Sequence, residues 1–180
     1  EQNAYYIPIN HKSIKTNQVL KDQISENEVI KLLQILCSDP SIIKIGQNIK
    51  YDMRILKKHE VLFNSIDDTM LFSYALDNGL TRHGMDDLAY RHLNHTTIKY
   101  KDIVGSGKKQ ITFDYVSIEE ATKYAAEDAL ITLRLYNQLK PRLVIEKILK
   151  VYEKIDKPLI EVLSYMEELG IKVNEIYLKE

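Results

Sequence analysis

The sequence predicts an α/β protein, and three observations carry the prediction. Short β-branched runs alternate with stretches of helical apolar period. Two capping boxes, Ser25-x-x-Glu28 and Ser117-x-x-Glu120, announce helix starts. Between them the run Ile42, Ile43, Ile45 stops at Gly46 and passes straight into a helix-like stretch, the strand-to-helix corner of an α/β layer.

Taken in order, residues 5–9 read as a strand, with Pro8 favouring a sheet edge. The Ser25 box opens a helix to about Leu36. Residues 42–45 form the next strand and residues 51–59 a helix with Leu56 on its apolar side. A short strand over residues 61–66 leads into a helix over 69–76, and residues 85–93 give another. Residues 104–110, with two glycines and two lysines, read as a loop. The Ser117 box starts a long helix that Pro141 is expected to end near Leu139. After a boundary over residues 141–152, an amphipathic helix with Leu159, Val162, Leu163 and Met166 stops at Gly170. There is no internal repeat and no low-complexity stretch.

Composition narrows the function. At 180 residues and 44% hydrophobic the chain can bury a sizeable core. Its 25 basic and 26 acidic residues nearly cancel, which is not the charge of a protein that grips nucleic acid by a basic surface. An acidic site that engages phosphate through metals is compatible with that balance. The single Cys37 allows no internal disulfide and points to a reducing compartment. No apolar run approaches the roughly 18 residues of a membrane span, and no secretory signal is expected. The expectation is a cytoplasmic protein with no membrane partner.

Two segments carry the chemistry. In Tyr124-Ala125-Ala126-Glu127-Asp128, residues four apart stack on one helix face, so Tyr124 and Asp128 lie one above the other. Ala121, Ala125 and Ala129 beside them are too small to keep a substrate away. The face runs on into Ile131 and Leu135, a core-like stripe where a carboxylate calls for a partner such as a metal ion. A phenol one turn away can orient a metal-bound water. Alone, the pattern is most often a boundary tyrosine and a solvated aspartate. The second segment, Gly46-Gln47-Asn48-Ile49-Lys50-Tyr51-Asp52, gathers polar groups where a strand feeds a helix. Its bland reading is a capping Asn48 and a surface Asp52 in a helix's first turn. The two segments together, in this order, are specific.

G-Q-N-I-K-Y-D followed by Y-A-A-E-D-A resembles the second and third motifs of the 3′-5′ proofreading exonuclease domain of bacterial family A DNA polymerases, the DEDD exonuclease group. The intervening D-T-M-L, R-H-G-M-D-D-L-A and I-V-G-S-G-K-K-Q also resemble that domain, and the stretch from Tyr152 resembles the opening of the polymerase region. The resemblance implies a ribonuclease H-like fold, a mixed sheet flanked by helices. Its first two strands, the first of which carries an Asp-x-Glu pair, have no counterpart here. It divides the chain into residues 1–140, an N-terminally truncated exonuclease domain, and residues 141–180, a linker and the start of the polymerase region. It also implies that residues 42–45 pair with 61–66, and that 5–9 do not pair directly with 42–45.

Roles follow from the resemblance. Asp52 and Asp128 are expected to hold Mg²⁺ or Mn²⁺ and, with Tyr124, to form the catalytic set. Gln47, Asn48, Lys50 and Tyr51 are expected at the terminal nucleotide, and Arg82 and Tyr100 along the single-strand path. For Arg82 and Tyr100, ordinary surface roles weigh nearly as much. Lys108 and Lys109 read as a solvated loop, and His83 lacks a second histidine at zinc-ligand spacing. The implied substrate is a frayed single-stranded 3′ end of DNA, cut by two-metal hydrolysis in a parent polymerase active in replication and repair. With two of four carboxylates present, this chain alone is expected to be inactive. Two alternatives stay open, an inactive scaffold domain of a family A polymerase and a related 3′-5′ exoribonuclease.

Overall fold

The computed structural model describes residues 3–77, 79, 81–174 and 176–179. Ser25 accepts from the Glu28 amide and starts α1 (Glu26–Ser38), as its capping box predicts. The sheet among the described residues is a parallel pair, β1 (Lys44–Gly46) and β2 (Ile66–Asp68), in the register Lys44 to Ile66 and Gly46 to Asp68. Helix α2 (Ile49–Lys57) connects them. Next come α3 (Thr69–Asp77), α4 (Met85–Leu93) and the short α5 (Tyr100–Val104). The long α6 (Ile118–Ile145), capped by Ser117, is followed by α7 (Leu149–Val151), a π-helical turn (Tyr152–Asp156) and α8 (Lys157–Leu169).

Residues 5–9 are not a strand. No strand among the described residues runs beside them to complete a ladder, and Tyr6 instead packs on Val104, Val116 and Ala121. Its hydroxyl meets His11 Nε2 at 2.5 Å. The second strand begins only at Ile66, because Glu60 and Ser65 take positive φ and break extended backbone over 61–65. The pairing of the two parallel strands is otherwise the expected one. The segment read as a loop over 104–110 instead begins with the end of α5 and contains a 3₁₀ turn, Gly107–Lys109.

Pro141 does not end α6. A proline removes one helical hydrogen bond, but Leu139 and Leu143 on either side are fully buried, and that packing keeps the helix running to Ile145. They join Phe72, Leu88, Ala89, Ile131, Leu135 and Tyr152 in the largest core cluster, so α3, α4 and α6 form one packed layer. A smaller cluster of Ile49, Ile66 and Ile160 places α8 against the strand-to-helix corner. Among the described residues no helix is long and apolar enough to cross a membrane.

Candidate active site

The site is built on the corner between β1 and α2. At Gly46 a Cβ would stand 2.7 Å from Ile49 Cβ and 2.8 Å from its Cγ1, so only glycine lets the chain turn here. Asn48 follows with φ 61°, left-handed backbone that asparagine tolerates better than most residues. Its side chain makes no capping hydrogen bond, contrary to the bland reading of that residue. The Asn48 and Ile49 amides donate instead to the Asp68 carboxylate at the end of β2, at 3.0 and 2.9 Å. Gln47 is fixed on both sides, its amide nitrogen donating to the His83 carbonyl at 2.9 Å and its oxygen accepting from Thr69 Oγ1 at 2.5 Å.

One helical turn into α2, Asp52 faces α6 across a cavity of about 660 Å³. Asp52, Tyr124 and Asp128 all line it, together with Gly46, Gln47 and Tyr51. The small Ala129 on α6 and Met85 at the start of α4 add to its walls, and among the described residues no lysine or arginine lines it.

Its electrostatics follow from that lining. Asp52 is exposed as a residue, yet desolvation of its carboxyl raises it to about 6, and the charge of Asp68 behind it adds to the effect. Burial likewise raises Asp128 to about 6; hydrogen bonding from Tyr124 opposes the rise, while Glu127 and Asp86 reinforce it. The Tyr124 phenol is pushed upward by burial and then by Asp128, so it keeps its proton throughout the neutral range. Two hard-oxygen acids thus share a cavity without a basic neighbour, an environment that suits a divalent cation of the Mg²⁺ or Mn²⁺ type. Among the described residues no three His, Cys, Asp or Glu side chains converge as a metal cluster.

The remaining sequence-predicted residues are spread around this cavity. Tyr51 is on its wall and 61% exposed. Asn48 and Lys50 open onto a second cavity of about 400 Å³ beside Asp68 and α8. There Lys50 is paired with Glu167, and Arg54 and Lys57 join Glu167 and Glu168 at 2.7 and 2.6 Å. Arg82 is exposed and lines neither space; its carbonyl accepts from Arg91. Tyr100, at the first turn of α5, stacks on Phe113 at 6.2 Å between ring centres, and both rings lie about 6 Å from Tyr124. An aromatic group therefore leads from the surface to the half-buried phenol of Tyr124.

Sequence reasoning passed over Asp68, Thr69 and Phe113, which hold the corner and the aromatic group in place. Asp68 had a signal: an aspartate directly before a helix start is a capping residue. Phe113 had none, because its contacts cross long stretches of chain.

The sequence matches a family described as 3′-5′ exonuclease over residues 2–144. It is 46% identical to the DNA polymerase I of Rhizobium leguminosarum over 95% of this chain and 17% of that protein. To the DNA polymerase I of Pseudomonas aeruginosa it is 40% identical over 97% of this chain and 19% of that protein. The chain thus spans about a fifth of the length of these relatives. Among solved structures, Brucella melitensis NrnC aligns with a TM-score of 0.64 at 22% identity, covering 86% of this chain and 69% of that one. The POL domain of Pol1 from M. smegmatis in complex with DNA primer-template and dNTP aligns with a TM-score of 0.66 at 18% identity, covering 96% of this chain and 28% of that one. Likeness at those identities speaks for the fold alone, an α/β architecture.

Proposed function

The chain belongs to the 3′-5′ exonuclease family, and we propose that it is the proofreading nuclease portion of a DNA polymerase I, removing the 3′-terminal nucleotide of DNA. The observation that carries this reading is the convergence of Asp52, Tyr124 and Asp128 on one cavity that no basic residue lines among the described residues. Asp52 and Asp128 would hold the divalent ions. Such ions, when bound, lower the pKa of a water and stabilise the leaving 3′ oxygen. Tyr124, protonated at neutral pH, orients the attacking water from one turn above Asp128. Gln47 and Tyr51, which line that cavity, contact the terminal nucleotide, whereas Asn48 and Lys50 open onto the neighbouring one. Tyr100 offers a ring to a base and Arg82 a charge to a phosphate of the incoming strand. Because the corner must admit a single strand, mispaired ends, which fray more readily, are the preferred substrates. The polymerase region of the same cytoplasmic protein supplies those ends.

The family site uses four carboxylates, and the 180 residues contain no Asp-x-Glu sequence. Two ligands hold ions weakly and without the spacing that in-line attack requires. The chain by itself is therefore inactive, and the full-length polymerase is active. The test presents a 5′-labelled single strand and Mn²⁺ to the full-length protein, to its Asp52→Ala and Asp128→Ala variants, and to the 180-residue chain. Trimming from the 3′ end by the full-length protein, lost by several decades in both variants and absent from the short chain, is the expected result. A full-length protein that does not trim favours the scaffold reading. Robust trimming by the short chain would show that the metals are held elsewhere.

A further inference from the structure

We propose that Asp68 is a positioning residue of this site, clamping the corner from which Gln47, Tyr51 and Asp52 are presented. What the corner serves rests on the nuclease reading above; what Asp68 does rests on its own hydrogen bonds.

Asp68 is 2% exposed and ends β2. One oxygen accepts from the Met70 amide at 2.8 Å and from Leu71 at 3.4 Å, the pattern of an aspartate capping its own helix, α3. The same oxygen takes the Asn48 amide at 3.0 Å, and the second takes Ile49 at 2.9 Å, twenty residues back in the chain. One carboxylate therefore serves the N-termini of two helices, and both direct the positive ends of their dipoles at it. This accounts for a buried acid with no cationic partner. It also supplies the cap that the Asn48 side chain does not provide, and it holds Asn48 in its left-handed conformation. Asp52 lies three residues after Ile49 in the first turn of α2, so wherever the Ile49 amide is held, Asp52 is placed.

The two oxygens can be separated by substitution. In Asp68→Asn the remaining oxygen can still cap α3, but an amide NH₂ faces the Ile49 N–H, donor against donor. Amide hydrogen exchange followed by NMR, well below the melting temperature, reads the two ends independently. The expected result is exchange at least tenfold faster at Ile49, with Met70 and Leu71 keeping their protection. In the same samples, paramagnetic broadening by Mn²⁺ at Ala129 should need about tenfold more metal. A purely structural role would move neither readout selectively, so Leu139→Ala, a core variant on α6 that makes no hydrogen bond to the corner, is the comparison; it should lower the melting temperature and leave both readouts unchanged. Unaltered exchange at Ile49 in Asp68→Asn, or the same change in Leu139→Ala, overturns the proposal. If Asp68→Asn does not fold, Asp68→Ser caps α3 without reaching Ile49 and carries the same comparison. Absence of Mn²⁺ binding in the wild-type chain would count against the metal reading, while exchange at Ile49 would still decide the role of Asp68.

Discussion

Asp128→Asn should stabilise the metal-free protein at neutral pH, an unusual result for a substitution at a candidate catalytic residue. The Asp128 carboxyl titrates at about 6 in the folded protein against an ordinary 3.8. The folded state thus binds this proton more tightly than the unfolded chain does. Below about pH 3 both states are protonated and the group costs nothing. As pH rises from there to about 6 the unfolded chain ionises first and stability falls; above 6 the full penalty remains. That penalty is at most about 3 kcal/mol at roughly 1.4 kcal/mol per decade of proton affinity, and solvent in the cavity reduces it to about 1.5 kcal/mol. Asparagine keeps the shape and removes the charge. For a chain of this length each kcal/mol moves the melting temperature by about 2–4 °C, so a gain of about 3–6 °C is expected at pH 7.5 in EDTA. The gain should shrink by pH 4 and vanish at about pH 3. Saturating Mn²⁺ should stabilise the wild type and barely affect the variant, reversing their order. Thermal melts at three pH values, with and without metal, provide the check. A pH-independent difference, or a variant less stable at pH 7.5 in EDTA, would refute the reasoning.

Gly46→Ala places a methyl group 2.7 Å from Ile49 Cβ, so a loss of about 1–3 kcal/mol in urea unfolding is expected, with weaker Mn²⁺ binding as α2 shifts. Tyr152→Phe removes a buried hydroxyl that donates to Asp67 at 2.9 Å and accepts from the Asp68 amide at 3.2 Å; denaturant melts should show a cost of about 1–3 kcal/mol. Ser117→Ala removes the cap of α6, which accepts from Glu120 N at 3.2 Å. It should cost about 1 kcal/mol and leave metal affinity unchanged, as titration would show.

The local signals in the sequence were faithful wherever a helix starts or stops by its own chemistry. Both serine caps, the extent of α4 and the stop at Gly170 were legible because each depends on neighbours within a few residues. The pairing of Tyr124 with Asp128 was legible for the same reason, since helical period alone stacks them. Tertiary packing decided the rest. Whether residues 5–9 form a strand depends on a partner running alongside. Whether Pro141 ends a helix depends on how deeply Leu139 and Leu143 are buried. The placement of Asp52 opposite Asp128 comes from a corner held by Asp68, and the engagement of Lys50 with Glu167 comes from where α8 docks. A sequence states which groups a residue can satisfy. Only the fold brings a carboxylate to amides twenty residues away, because the long-range contacts that place it belong to no local stretch of chain.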